Sequence, residues 1–95
     1  MKASMYLSGQ DDPVAIFDEV SVVQMNDNHS QSPYRISYKS HQLNSSKTML
    51  ERHRDSKMRL KMEDGSEADV LLQHSSLDMS GNAVGVLRVL GDIEA

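Results

Sequence analysis

In Tyr34-Arg35-Ile36-Ser37-Tyr38-Lys39-Ser40 the side chains alternate: Tyr34, Ile36 and Tyr38 fall on one side, Arg35, Ser37 and Lys39 on the other. An extended chain sends successive side chains to opposite faces, so this run is a strand with one face buried. Pro33 precedes it, a position where a missing N–H costs least. The pattern recurs in Lys57-Met58-Arg59-Leu60-Lys61-Met62, methionines and leucine inward, three cations outward. Asp64-Gly65 follows within Glu63-Asp64-Gly65-Ser66, a strong hairpin cue because glycine accepts positive φ. The return strand is Ala68 to His74, Asp78-Met79-Ser80-Gly81-Asn82 reads as a turn, and Ala83 to Leu90 is another strand, ended by Gly91. The second half is therefore expected to be a three-stranded meander.

Upstream, Val14 to Phe17 and Val20 to Met25 read as one long strand with a bulge at Asp18-Glu19. Lys2 to Leu7 forms a short first strand, set off by the turn-like Gly9-Gln10-Asp11-Asp12-Pro13. Only residues 44–55 depart from the β pattern. They hold helix formers and Thr48/Glu51 at capping-box spacing. Such a short helix depends on packing through Met49, Leu50 and His53.

The predicted fold is mainly β (α+β): a small six-stranded antiparallel barrel or strongly curled sheet, with one short helix between strands 3 and 4 that covers an open end. Closure removes sheet edges, and Val20–Met25 is the edge that most needs it. Pairing with a second copy would serve the same end. At 95 residues the chain makes a single domain, 1–95, with 4 aromatics and 38% apolar residues. A domain of this size buries only about 60–68% of its unfolded surface, which favours a homo-oligomer, a homodimer first. With no cysteine, a disulfide framework, a thiolate nucleophile and a sulfur-based zinc site are excluded. No apolar stretch approaches signal-peptide or bilayer-spanning length, so no membrane association and a cytoplasmic location are expected.

Charge is distributed in blocks. Residues 1–34 carry a net −4 and residues 62–95 a net −6, whereas 35–61 carry eight cations, Arg35, Lys39, Lys47, Arg52, Arg54, Lys57, Arg59 and Lys61, for a net +6. On adjacent elements these would form an anion-binding face for nucleotide or nucleic-acid phosphates. The competing reading is a solvated face, with residues such as Asp69 opposite a cation across the strands. Tyr34 and Tyr38 point away from the neighbouring cations, which disfavours single-strand stacking. A phosphate-only or protein partner fits better.

No catalytic constellation is legible. The histidines, at 29, 41, 53 and 74, lack short metal-ligand spacing, so no metal or cofactor is expected. His74-Ser75-Ser76-Leu77-Asp78 is the nearest thing to a hydrolytic relay, but neighbouring strand residues point oppositely. Paired acids at Asp11-Asp12, Asp18-Glu19 and Glu63-Asp64 sit in or beside turns, where solvation keeps carboxylates ionised. Met58 and Met62 read as core filling rather than soft-metal ligands. The chain is not expected to be an enzyme.

Arg52, Arg54 and Arg59, followed by Asp78-Met79-Ser80-Gly81-Asn82-Ala83, are similar to the PilZ domain, a small β-barrel with an arginine cluster ahead of an Asp-x-Ser-x-x-Gly turn. That resemblance implies cyclic di-GMP binding, guanidiniums clamping phosphate and the turn contacting guanine. The sequence departs from the family where Ala83 replaces the final glycine, where the Arg-x-x-x-Arg spacing is absent, and where only 12 residues follow Ala83. The leading expectation is a non-enzymatic interaction module acting through contacts with an unidentified protein. Anion binding by Arg35, Lys39, Arg52, Arg54, Lys57, Arg59 and Lys61 is the alternative.

Overall fold

The computed structural model describes residues 1–24, 33–41 and 52–95. Seven strands make up these parts: β1 (Ala3–Leu7), β2 (Ala15–Phe17), β3 (Glu19–Gln24), β4 (Tyr34–Ser40), β5 (Met58–Met62), β6 (Glu67–Leu77) and β7 (Ala83–Glu94). All pairings are antiparallel, in the order β2-β1-β5-β6-β7-β4-β3. The two end strands of that order are consecutive in sequence, and this nearly closes the sheet into a barrel. Ala15–Phe17 pairs with β1, the chain bends at Asp18, and Glu19–Gln24 pairs with β4.

A latch of polar bonds holds the seam. Asp18 N–H donates to the Lys39 carbonyl (3.0 Å), the Ser40 hydroxyl donates to the Ile16 carbonyl (3.1 Å), and His41 N–H donates to the Asp18 carboxylate (2.6 Å). The expected single long strand is thus two strands, because a barrel corner requires the backbone to change partner. The strand count is accordingly seven rather than six.

Period-two sidedness builds the core. Ala3, Met5, Ala15, Phe17, Val20, Ile36, Tyr38, Met58, Leu60, Met62, Ala68, Val70, Leu72, Leu87 and Val89 are buried in one cluster. The Phe17 and Tyr38 rings meet across the seam with centroids 4.5 Å apart and planes tilted by 31°. Met58 and Met62 are core residues, as their spacing predicts.

The meander β5-β6-β7 forms as expected, but its last two strands run further. β6 continues to Leu77 through a bulge between Leu72 and His74, and β7 passes through Gly91 to Glu94. Gly91 takes φ 77°, so it serves as an irregularity inside the strand and not as its end. The β5–β6 turn holds Gly65 at φ 92°, the conformation the Asp-Gly pair predicts. The predicted helix over 44–55 lies mostly outside the described residues. Its final part, 53–55, is a turn in which Ser56 N–H donates to the His53 carbonyl at 3.0 Å. No helix among the described residues is long and apolar enough to cross a membrane.

Candidate functional site

Sheet order separates the basic block. β4, with Arg35 and Lys39, and β5, with Arg59 and Lys61, have β6 and β7 between them. The outward cations of the two strands therefore do not share a face.

On the β5 side, Arg59 is engaged by three carboxylates. Its Nε donates to Glu67 (3.1 Å), Nη1 to Asp69 (3.1 Å) and Nη2 to Glu94 (2.6 Å). Arg59 stands opposite Asp69 in the ladder, and Glu67 opposite Glu94, so three neighbouring strands deliver these groups to one point. The Glu94 carboxylate first, then Glu67, hold the guanidinium protonated even further above its ordinary range. Lys61 lies over the Tyr6 ring, 5.1 Å from its centroid. Lys57 is exposed and joins Tyr6, Ser8, Gln10 and Lys61 around a shallow groove.

On the far side, Lys39 pairs with Asp78 at 3.7 Å. The Asp78 carboxylate also accepts the N–H groups of Ser80 and Asn82 (both 2.9 Å) and the Asn82 side-chain amide (3.1 Å). The His41 ring bonds the same Asn82 side chain at 3.0 Å. Asp78 is thus the internal bracket of the β6–β7 turn. Among the described residues the hydrogen bonds of its carboxylate come from Ser80 and Asn82, and its ion pair is with Lys39, so the geometry builds no relay to His74.

These bonds, the Asn82 side chain first and its backbone N–H next, hold the Asp78 pKa below the ordinary aspartate value. The folded state therefore favours the ionised carboxylate. The associated stability is present in full above the ordinary aspartate range and is lost as pH falls through the lowered folded value. Asp78→Ala should destabilise the domain at neutral pH. Its deficit relative to the native chain should begin to shrink as pH falls below the ordinary aspartate range and vanish once pH has passed the lowered folded value. Urea melts of both chains at neutral and acid pH check this; a deficit independent of pH would mean that the charge does not hold the turn.

Three other arginines, Arg35, Arg54 and Arg88, converge. Arg35 on β4 stands directly opposite Arg88 on β7, and Arg88 stands opposite Leu71 on β6. This transverse row forms the floor of a cleft of about 400 Å³, completed by Leu72, Gln73 at the bulge, and Arg54 and Asp55 from the turn before β5. Arg35 is buried and donates from Nη1 to its neighbour's carbonyl, Tyr34, at 3.1 Å; Arg54, Gln73 and Arg88 are exposed.

Of the predicted anion-binding residues, the fold brings together Arg35 and Arg54. It places Lys39, Lys57, Arg59 and Lys61 elsewhere, leaves Arg52 exposed outside the cleft lining, and Lys47 lies outside the described residues. Arg88 is the member that sequence reasoning missed. It stands alone in the acidic last third, and its only signal was an outward position in an alternating strand.

A second feature is the edge of β3, which no other strand pairs with among the described residues. Val20 N–H donates to the Met1 carbonyl (2.8 Å), on the side away from β4. By strand periodicity the N–H groups of Val22 and Gln24 point the same way. Among the described residues no backbone group meets them. Val22 and Val23, on opposite faces of this strand, are 43% and 46% exposed. Set against known proteins, the chain matches no family model, no curated protein and no solved structure.

Proposed function

We propose that this protein is a non-enzymatic β-barrel interaction module that assembles with a second copy of itself through β3. The observation that supports this reading is the uncharged edge Ser21-Val22-Val23-Gln24, with outward N–H groups and two exposed valines. Monomeric domains blunt such edges with lysine, proline, bulges or a covering segment. Here residues 21–24 contain no charge and no proline. An antiparallel copy related by a two-fold axis would satisfy the outward backbone groups of both strands and cover Val22 and Val23 together. The resulting continuous sheet would then present two barrels for contact with a further protein.

The test separates edge pairing from every other association. Light scattering at about 100 μM should report two chains per particle, within the range where weak homodimers form. Val22→Pro removes one outward N–H and leaves the bonds to β4 in place, since proline is tolerated on an outer edge. That variant should stay folded by circular dichroism and become monomeric. A native chain that is monomeric at this concentration, or a folded Val22→Pro that still dimerises, would refute the proposal.

A further inference from the structure

We infer the register in which two copies meet, an inference that rests on the assembly through β3 proposed above. The two-fold axis passes beside Val23, so that Val23 of one copy faces Val23 of the other and Val22 faces Gln24 of the second copy. The backbone supplies the reason. In an antiparallel pair, residues alternate between those that exchange both backbone bonds with the facing strand and those that exchange none. Val20 gives its N–H to the Met1 carbonyl on the side away from β4, so the outward-bonding positions of β3 are Val20, Val22 and Gln24. Ser21 and Val23 turn their backbone groups toward Ser37 and Arg35 of β4. Two copies bond along this edge only where outward positions of one strand face outward positions of the other.

Val20 decides among the registers that meet this condition, because the Met1 carbonyl already holds its N–H at 2.8 Å. A pairing centred on Val22 sets Gln24 against Val20 of the second copy, and one centred on Ser21 sets Val22 against that same Val20. Each directs an outward pair at a group that is engaged. A pairing centred on Gln24 joins the two Gln24 residues and leaves Val22 beyond the end of the facing β3. Centring on Val23 sets Val22 against Gln24 on both sides of the axis. This register alone joins the outward N–H and C=O groups of both residues within β3.

The side chains fit the same register. Val23 takes the non-hydrogen-bonded position of the new pair, where facing Cα atoms are about 4.5 Å apart and side chains approach most closely. A β-branched residue facing another suits that position, whereas like charges there would repel. Val23 is exposed, and residues 21–24 carry no charge. On the other face, Val22 lies beside the aliphatic part of Gln24 of the second copy, and the glutamine amide reaches water at the rim. A residue facing its own copy is what an isologous axis produces, so the contact closes on two chains.

The experiment is cysteine cross-linking of the intact chain, which has no cysteine of its own. Val22→Cys, Val23→Cys and Gln24→Cys are made singly, all at exposed positions, and oxidised at the concentration used for light scattering of the native chain. Facing Val23 positions fall within the Cα range of a disulfide, whereas the two Val22 positions are diagonal neighbours about 7–8 Å apart. Val23→Cys should therefore form a disulfide-linked dimer about tenfold faster than Val22→Cys or Gln24→Cys alone. An equal mixture of Val22→Cys and Gln24→Cys should give chiefly the mixed disulfide, because these two face each other with Cα atoms about 5.5 Å apart. A native chain that stays monomeric removes the assembly through β3 and the register with it. If the native chain is a dimer, faster linking of Val22→Cys than of Val23→Cys, or no excess of the mixed disulfide, overturns the register and leaves the β3 assembly standing.

Discussion

Phe17→Ala is expected to remove a large share of the domain's stability. Phe17 is fully buried at the seam, packed against Tyr38 with ring centroids 4.5 Å apart. Truncating a buried phenylalanine costs about 3–5 kcal/mol, from lost transfer energy and the cavity left behind. A domain of this size has a total stability on the order of 5–15 kcal/mol. The residue also stands next to Asp18, where the chain leaves β1 for β4, so a cavity there loosens the latch as well as the core. Phe17→Leu, which retains most of the volume, should cost clearly less than Phe17→Ala. Urea denaturation of the three chains gives the comparison. Equal losses for both variants would point to the aromatic contact with Tyr38, and not the filled volume, as the source of stability.

Gly85→Ala should destabilise the fold by about 3 kcal/mol, near the upper end for overpacking. Gly85 lies in β7 between Ser75 of β6 and Tyr38 of β4. A methyl group there would run into the His74 carbonyl oxygen and the Tyr38 hydroxyl, and would come within 2.7 Å of Tyr38 Cζ. The first of these is backbone beside the β6 bulge, so it cannot swing aside. The glycine is required by close approach and not by its dihedral angles, since its φ is not in the left-handed range. Adding Tyr38→Phe should recover only part of the loss, because it removes the hydroxyl and leaves the carbonyl in place. Thermal and urea melts of the single and double variants decide the matter. Full recovery would place the whole clash on the tyrosine.

Where a local rule governs, the sequence was readable. Tyr34–Ser40 and Lys57–Met62 put their alternating side chains on the faces their spacing requires, because sidedness in a strand depends only on the chain's own geometry. Asp64-Gly65 marks the β5–β6 turn for the same reason, and Asp69 stands opposite a cation, Arg59. The ends of β6 and β7 were less legible. Gly91, read as a stop, sits within a continuing strand because Glu67 on β6 still pairs with Glu94 beyond it.

The candidate site was legible only in its ingredients. Arg35, Arg54 and Arg59 look equivalent along the chain, yet Arg59 is held by Glu94, 35 residues away, while Arg35 meets Arg88. No spacing in the sequence records either pairing. Composition and alternation made this an antiparallel β protein with an aliphatic and methionine-rich interior, since burial of a strand's apolar face is a local demand. The order of strands, the partner change at Asp18 that nearly closes the barrel, and the division of one basic block into a carboxylate-held arginine and an arginine cleft came from the packed whole. Those features depend on which strands become neighbours, a competition among long-range pairings that is decided when the entire core forms at once.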